Sequence, residues 1–275
     1  MDKPIWIYWE NYRGQPDPAY ITLCRWTMLH NWSDSNIIFI NTSNIEYYIP
    51  NIRIRTCNIN VDVRGRLDKL KRNIWPNKSD LAVKCDVYRA NLVNTYGGIY
   101  CDASAIALKS IDNYFDIINT EKKFLVSKRQ SHGKDHYPVS FYGAPPGSKV
   151  ISEYVLKIDD LLSKKKNFHY NEIGAGSLTP IVNRNLSQTI VLDERKIMPI
   201  TFENCDGLYL DKTIKVEDIV DDQQCVFKLF NNPFKTTLAE MSIRELYYSD
   251  YFIGKLFRHA LPEEVFTRYL KDFNV

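Results

Sequence analysis

Residues 84–104, KCDVYRANLVNTYGGIYCDAS, decide the predicted fold, because they read as a helix, a turn and a strand in direct succession. Apolar side chains recur at the spacing of one helix face, at Cys85, Tyr88, Leu92 and Tyr96. Asp86 and Arg89 lie three residues apart and therefore share a different face of the same helix. We expect the apolar face to pack and the charged face to bind.

A glycine pair at 97–98 ends the helical pattern. Glycine has no Cβ and so adopts the left-handed conformation that often closes a helix. The apolar run 99–101 then predicts a short strand, after which Asp102 and Ser104 stand at alternate positions. Alternate side chains of an extended backbone point the same way, so these two are expected to share one edge with Tyr100.

Charged groups near the carboxyl end of a buried strand suit an open α/β sheet that binds a nucleotide in its strand-end crevice. The spacing alone equally allows a structural alternative. In that alternative Asp86 and Arg89 form an ordinary helix ion pair, and Asp102 is a turn residue.

A longer pattern favours the binding interpretation. The run D-x-x-R-x-x-L-x-x-x-Y-G-G-I-Y-x-D-x-S at 86–104 resembles the core motif of the sugar-binding DXD glycosyltransferases, and most closely their capsular polysaccharide synthesis branch. IWIYWE at 5–10, FYGAPPG at 141–147 and GAGSLTP at 174–180 resemble the same branch in the same order. The resemblance covers most of residues 4–230.

The resemblance implies an α/β, GT-A-like fold of the Rossmann type, with a mostly parallel central sheet and helical additions. It also implies a bacterial hexosyltransferase. The expected donor is a nucleotide sugar, with UDP-sugar foremost. The sugar would move with retention of anomeric configuration onto a growing capsular or other surface polysaccharide. A lipid-linked oligosaccharide would be the acceptor, and the leaving phosphate itself would take the acceptor's proton.

Individual roles also follow from the resemblance. Asp86 and Arg89 would hydrogen-bond the donor sugar, and Tyr100 and Asp102 would hold the ribose or the sugar. Asp86, Arg89 and Asp102 form the expected catalytic group. The remaining residues implied in nucleotide-sugar binding are Tyr8, Trp9, Ser104 and Lys228. The residues implied on the acceptor or sugar side are Gly176 and Ser177.

Trp9 ends the predicted first strand, 5–9, where its ring could stack on a base. In the resembling family an aromatic residue at this place contacts the uracil. A core tryptophan is the alternative for Trp9, and Trp6 is a rival for the base-binding role.

The departing pyrophosphate must be neutralised, either by a divalent metal on carboxylate oxygens or by lysine and arginine. By resemblance, Asp102 and the third DXD position would bind Mn²⁺ or Mg²⁺. The third position here is Ser104, whose neutral hydroxyl is a weaker ligand than a carboxylate. Metal dependence therefore stays open, as does the alternative of a catalytically idle nucleotide-sugar-binding protein. Lys228, in the CVFKLF segment, could help to neutralise the pyrophosphate or could be an exposed lysine.

A chain of 275 residues with 44% hydrophobic and 25% charged residues can bury one sizeable core. We predict a single domain, 1–275, with a nucleotide-sugar-binding half at 1–110, an acceptor-side half at 111–235 and a C-terminal helical tail at 236–275. The net charge of +3 is too small to indicate a nucleic-acid partner.

The six cysteines form no C-x-x-C pair, which favours reduced, buried thiols over bridges. The sequence shows no basic-then-apolar leader and no apolar run of about 18 residues. These features predict a cytoplasmic protein. Peripheral contact with the inner face of the cell membrane stays open.

Further elements follow from periodicity and turn residues. The other predicted strands are 36–41, 124–127 and 139–142. One further helix is predicted from Asp17-Pro18 to 32, and others at 43–49, 66–73 and 148–162. Two more are predicted to start at Ser79 and near Ser177. His132 and His136 have ligand-like spacing, but Gly133 and Pro138 predict a polar loop there and not a metal site.

Overall fold

The computed structural model describes residues 3–11, 16–56, 60–61, 78–131, 134–169, 171–231, 233–235 and 237–274. Its strands are β1 (Pro4–Tyr8), β2 (Asn36–Ile40), β3 (Asn60–Val61), β4 (Gly98–Cys101), β5 (Ala105–Ala107), β6 (Phe124–Ser127), β7 (Arg129–Ser131), β8 (Lys134–His136), β9 (Phe141–Ala144), β10 (Asn167–Phe168), β11 (Thr189–Leu192) and β12 (Val226–Lys228). Its α-helices are α1 (Ala19–Asn31), α2 (Ile45–Tyr48), α3 (Ile52–Thr56), α4 (Lys78–Tyr96), α5 (Asp112–Glu121), α6 (Lys149–Lys164), α7 (Ala175–Arg184), α8 (Cys205–Tyr209), α9 (Ile243–Tyr248), α10 (Phe252–Ala260) and α11 (Glu263–Asp272).

A six-stranded sheet, in the order β11-β6-β9-β4-β1-β2, carries the α/β architecture. β1 pairs in parallel with β4, and β11 pairs in parallel with β6. β9 is antiparallel to both β4 and β6, so β11, β6, β4 and β1 share one direction. The predicted α/β class with a mostly parallel sheet is confirmed, with β9 as the reversed strand. The carboxyl ends of β1 and β4 therefore lie at the same edge of the sheet.

Contacts divide the chain into two compact units. The first comprises Met1–Arg13, Ile38–Cys101 and Tyr114–Leu192, and in it α4 packs against β1, β4 and α6. β1, β4, β6 and β9 are almost entirely buried, which explains why their sequences read as short continuous apolar runs.

The second unit comprises Gly14–Ile37, Asp102–Asn113 and Asp193–Val275. In it α1 packs against β5 and against the three C-terminal helices α9, α10 and α11. Tyr247 of α9 stacks on Phe266 of α11, with ring centroids 3.7 Å apart. The C-terminal residues form these three helices, and their apolar side chains pack within this unit.

The turn from α4 into β4 depends on two glycines. Gly97 has φ +69° and Gly98 has φ +88°, as the predicted left-handed helix end requires. A Cβ on Gly98 would lie 2.3 Å from the carbonyl oxygen of Pro4, so only glycine lets β4 approach β1 here.

The chain after β4 differs from the prediction. A turn at 103–104 follows the strand, and β5 then begins at Ala105. The predicted extended alternation of Tyr100, Asp102 and Ser104 is therefore wrong, because a turn reorients the side chains that follow the strand.

Other boundaries differ by a few residues. α1 begins at Ala19 because Pro18 occupies the N-cap position, and the predicted cap residue Asp17 instead pairs with Arg25. β9 begins at Phe141, two residues later than predicted, and α7 begins at Ala175, two residues earlier than predicted.

The predicted polar loop after β6 contains the antiparallel hairpin of β7 and β8, in which Arg129 faces His136. Its strands are polar throughout, so they give no apolar alternation from which to predict them. His132 and the predicted helix 66–73 lie outside the described residues.

Within the part of the chain that the structure describes, no helix combines the length and the apolar composition needed to cross a membrane. The described cysteines are free thiols, as predicted: Cys24, Cys85, Cys101, Cys205 and Cys225.

Candidate functional site

The charged pair of helix α4 is buried in the first unit. The Asp86 carboxylate and the Arg89 guanidinium form an ion pair, and the two residues are only 4% and 7% exposed. The charged face is therefore covered within the protein, because α4 packs on the sheet and also on α3 and α6, and its binding role stays a prediction. Burying two charges costs more desolvation energy than a surface pair does, so such pairs are weak evidence of a purely stabilising role.

The apolar face of α4 also differs from the prediction at one end. Tyr88 and Leu92 are buried as predicted, but Tyr96 is 44% exposed. Tyr96 lies in the last turn of the helix, and its hydroxyl donates to the carbonyl oxygen of Tyr48 at 2.7 Å. An aromatic ring with a polar tip suits this half-exposed position.

Tyr100, the third residue of β4, lies beside Arg89. The Arg89 Cζ atom lies 5.1 Å from the centre of the Tyr100 ring, which is within cation–π distance. The Tyr100 hydroxyl lies 3.2 Å from the Cys85 sulfur. The structure thus brings Asp86, Arg89 and Tyr100 together near the carboxyl end of a central strand.

The turn before α7 lies against the same carboxylate. A Cβ on Gly174 would lie 2.7 Å from Asp86 Oδ2, so a larger residue would displace the carboxylate. Tyr154 anchors this turn by donating its hydroxyl to the Ile173 carbonyl oxygen at 3.0 Å. Burial raises the pKa of Tyr154, which keeps this hydroxyl a neutral donor at ordinary pH.

Gly176 and Ser177 use their polar groups inside this turn. The Gly176 N–H donates to the Asn171 carbonyl oxygen at 2.8 Å. The Ser177 hydroxyl donates to the Glu172 carbonyl oxygen at 2.6 Å, and the residue is 5% exposed. These bonds stabilise the entry into α7, and the acceptor-side role of both residues stays a prediction.

The end of β1 separates the two tryptophan candidates. Trp6 is 2% exposed and donates its indole N–H to the Gly97 carbonyl oxygen at 2.9 Å, so it is a core residue. Trp9 is half-buried and donates its indole N–H to Asn11 Oδ1 at 2.7 Å. Of the two tryptophans, Trp9 is thus the partly exposed one, and its base-binding role stays a prediction.

Tyr8 and Glu10 flank Trp9 and are tied to α4 and to the segment after β2. The rings of Tyr8 and Tyr88 meet edge to face at 5.4 Å, and burial raises the pKa of Tyr8. Glu10 Oε2 accepts from both the backbone N–H and the hydroxyl of Thr42, at 2.6 Å each. Glu10 was not among the predicted site residues. It is the last residue of the IWIYWE pattern at 5–10, and that pattern was the sequence signal that could have identified it.

In the second unit, Lys228 lies between Asp102 and Ser104. Its ammonium nitrogen donates to Ser104 Oγ at 2.6 Å and to the Leu229 carbonyl oxygen at 2.7 Å, and lies 3.4 Å from Asp102 Oδ2. The Lys228 side chain is only 11% exposed, so the interpretation of an exposed lysine is wrong. The pairing of β12 with β5, which sets Lys228 opposite Ala105, fixes this arrangement.

A divalent metal held between Asp102 and Ser104 does not fit these residues. Mg²⁺ binds oxygen ligands at about 2.0–2.1 Å. The Lys228 ammonium already contacts both oxygens that would hold such an ion. Two cations in contact with the same oxygens would repel each other. Elsewhere in the described residues, no three His, Cys, Asp or Glu side chains are grouped to hold a metal ion.

The chain matches a known protein family. The model of a family described as capsular polysaccharide synthesis protein matches residues 1–168. No curated protein sequence matches the chain significantly.

Comparison with solved structures finds glycosyltransferases. The glycosyltransferase GlyE of Streptococcus pneumoniae TIGR4 is 11% identical with a TM-score of 0.51, over 99% of this chain and 64% of that chain. The chain thus spans less than two thirds of GlyE. The galactosyltransferase LgtC, solved with donor and acceptor sugar analogues, is 11% identical with a TM-score of 0.48, over 96% and 99% of the two chains. The PaToxG glycosyltransferase is 14% identical with a TM-score of 0.44, over 68% and 70%. The likeness to GlyE shows the fold.

Proposed function

The chain belongs to the capsular polysaccharide synthesis protein family and has a GT-A-like glycosyltransferase fold, and we propose that it transfers a sugar from a nucleotide sugar to a surface polysaccharide. The proposed donor is a UDP-sugar, and the proposed acceptor is a growing, lipid-linked oligosaccharide. The proposed outcome is retention of the anomeric configuration.

One observation carries this proposal. A buried aspartate and a buried arginine are paired on α4, beside an aromatic ring near the carboxyl end of a central strand. Groups at this edge of an open α/β sheet are placed to bind nucleotides and the groups attached to them. A planar guanidinium and a carboxylate are also suited to the paired hydroxyls of a sugar, because one donates and the other accepts.

Further residues have assigned roles in this proposal. Asp86 and Arg89 hydrogen-bond the donor sugar, and Tyr100 supports Arg89 through its ring. Tyr8 and Trp9 contact the base. Asp102 orients the ribose or the sugar by accepting hydroxyl hydrogen bonds, while Ser104 and Lys228 act on the diphosphate.

The proposed reaction needs no dedicated protein base. The leaving diphosphate oxygen takes the proton of the acceptor hydroxyl on the same face of the sugar, which yields retention. Mn²⁺ or Mg²⁺ at Asp102 and Ser104 is left out of this proposal, because Lys228 lies where that ion would bind.

The proposed location follows from the substrates and the thiols. Free cysteines suit a reducing compartment. We place the reaction in the cytoplasm, with peripheral contact at the inner face of the cell membrane, where a lipid-linked acceptor would be within reach.

Donor hydrolysis tests the function without a known acceptor. The purified chain is incubated with a panel of UDP-hexoses and UDP-N-acetylhexosamines, and released UDP is measured. We expect release from at least one donor, because an active transferase passes some sugar to water. Asp86→Asn should abolish the release, and Lys109→Met, at an exposed lysine, should leave it unchanged.

A matched binding measurement separates the two remaining functions. A thermal shift with the same donors reports binding whether or not turnover occurs, since a bound ligand raises the melting temperature. Binding without release would favour the catalytically idle nucleotide-sugar-binding protein. Neither binding nor release with any donor would contradict both functions.

A further inference from the structure

The position of Lys228 indicates how the negative charge of the donor is balanced. We propose that the Lys228 ammonium takes the place of a divalent metal, so that this chain binds the diphosphate of its donor without a metal ion. The inference rests on the proposed function and concerns how the diphosphate of the proposed donor is bound.

The backbone holds this lysine in a fixed place. β12 pairs with β5 so that Val226, Phe227 and Lys228 face Ala107, Ile106 and Ala105. The Lys228 N–H donates to the Ile197 carbonyl oxygen at 2.8 Å, and the Leu229 N–H donates to the Ser104 carbonyl oxygen at 2.8 Å. Backbone hydrogen bonds between two strands therefore hold the lysine in a fixed position beside Ser104. Protein ligands would fix the position of a bound metal ion in the same way.

The contacts of the ammonium leave part of its charge available. An ammonium has three donors, and two of them make short bonds to neutral oxygens, Ser104 Oγ and the Leu229 carbonyl. The only anion that contacts it among the described residues is Asp102, at the longer distance of 3.4 Å. A diphosphate oxygen can therefore take the third donor at a shorter, charge-assisted distance.

Ser104 has a specific role in this arrangement. A carboxylate at this position would sit within hydrogen-bonding distance of the ammonium and would cancel its charge. The serine hydroxyl instead accepts a 2.6 Å hydrogen bond and stays neutral, so it orients the lysine without neutralising it. The departure from the acidic third position and the presence of Lys228 are thus two parts of one arrangement.

Burial makes the charge effective. The Lys228 side chain is 11% exposed and Ser104 is 3% exposed. An ammonium in such a place interacts more strongly with a nearby anion than one in open water, because the surroundings screen it less. The Asp102 side chain is 26% exposed, which leaves this side of the cluster within reach of a ligand.

Calorimetric titration tests the inference with nucleotides alone. UDP, GDP, ADP and CDP, and the matching nucleosides, are titrated into the wild-type chain in EDTA and again in Mn²⁺. We expect the preferred nucleoside diphosphate to bind equally well in both conditions. We also expect Lys228→Met to weaken the binding of that diphosphate at least about tenfold while leaving the nucleoside unchanged. Lys109→Met, which removes another lysine that donates to a backbone carbonyl oxygen, should bind as the wild type does.

A metal measurement keeps the test valid if Lys228→Met folds poorly. Mn²⁺ alone is titrated into the wild-type chain and followed by its electron paramagnetic resonance signal. We expect no metal binding by the wild type with or without the diphosphate. Diphosphate binding that requires Mn²⁺ in the wild type, or unchanged diphosphate affinity in a folded Lys228→Met variant, would overturn this inference and leave the proposed function standing. Failure of the wild type to bind any nucleoside diphosphate in either condition would overturn both.

Discussion

Gly174 lies so close to Asp86 that a methyl group added at position 174 would be 2.7 Å from the carboxylate oxygen Oδ2. The glycine therefore fixes how far the turn before α7 can approach the buried ion pair. The same turn is anchored from the other side by Tyr154. The position of the Asp86 carboxylate is thus determined by the backbone at Gly174 and by the ion pair with Arg89.

Gly174→Ala should therefore displace the carboxylate. We expect a loss of about 1–3 kcal/mol of folding stability from overpacking. We also expect donor hydrolysis to fall about 10- to 100-fold, because small displacements of a positioning group are costly. Denaturant unfolding and UDP release measure the two effects.

Gly207→Ala is the matched control for this change. A Cβ on Gly207 meets no atom within 4 Å, and the residue lies in α8, where alanine is the better helix former. The control should keep both stability and hydrolysis. Unchanged hydrolysis in Gly174→Ala would mean that the reaction does not depend on where Asp86 lies.

Arg89→Lys should not behave as a conservative change. Lysine keeps the charge opposite Asp86 but loses the planar fork and the ring contact with Tyr100. We expect UDP-sugar affinity to fall by about 1.5–3 kcal/mol, the value of a hydrogen bond to a charged group, while UDP affinity stays the same. Calorimetry with the sugar nucleotide and with UDP separates the two.

Arg55→Lys is the control for the arginine change, since Arg55 pairs with Asp159 at the surface. It should bind both ligands as the wild type does. Wild-type affinity for the sugar nucleotide in Arg89→Lys would show that Arg89 has a structural role only.

Asp102→Asn should separate binding from transfer. The amide keeps the shape of the side chain but loses the charge, and the 26% exposed side chain can change without disturbing the core. We expect UDP release to fall about 10- to 100-fold, as for the loss of a charged hydrogen-bond acceptor. UDP itself should bind as well or more tightly, because Lys228 loses its anionic neighbour. Unchanged turnover in the folded variant would remove Asp102 from the site.

Part of this arrangement is predictable from the sequence. The 3.6-residue period and the glycine pair predict α4 and β4, because these signals come from residues that are close together in the sequence. The contact between Lys228 and Ser104 is not predictable in this way, since the two residues are 124 positions apart and meet only through the pairing of β5 and β12. β5 itself has three residues, which is too short for a periodic signal.

The burial of the charged face of α4 shows a second limit of prediction from the sequence. Spacing places Asp86 and Arg89 on one face, but it does not tell whether another helix covers that face. α6 packs against α4, and the GAGSLTP turn closes over Asp86. The two tryptophans of the first strand illustrate the same point, because only the tertiary contact with Gly97 identifies Trp6 as a core residue.

Tyr247 should make the second unit sensitive to alkaline pH. The pKa of Tyr247 is raised to about 12. Burial is the largest cause, and the nearby Tyr248 is the second. An unfolded tyrosine ionises near pH 10, at about its reference value. Its contribution to stability is therefore complete below about pH 10 and is lost as the pH rises towards 12.

Tyr247→Phe tests this alkaline dependence. The variant loses the hydroxyl that donates to the Leu261 carbonyl oxygen at 2.8 Å, which should cost about 1 kcal/mol at pH 8. Because phenylalanine does not ionise, we expect this difference from the wild type to shrink between pH 10 and 11.5. Urea unfolding across that range measures it, and Tyr47→Phe, at an 84% exposed position, is the control. A constant difference would contradict the prediction.

Ser104→Asp gives opposite results for the two ways of neutralising the diphosphate. If a metal bound there, the new carboxylate would add a charged ligand, and Mn²⁺ would tighten donor binding. In the observed arrangement the carboxylate would instead meet the Lys228 ammonium, which lies 2.6 Å from the present hydroxyl. It would cancel the charge of the lysine and repel the diphosphate by roughly 1 kcal/mol or more at contact distance. We therefore expect weaker UDP binding at every Mn²⁺ concentration.

Ser104→Asn is the control, because asparagine is similar in size to aspartate but neutral. This variant should bind UDP nearly as the wild type does, so a difference between the two variants isolates the effect of charge from that of volume. Tighter UDP binding by Ser104→Asp as Mn²⁺ is added would favour the metal over Lys228.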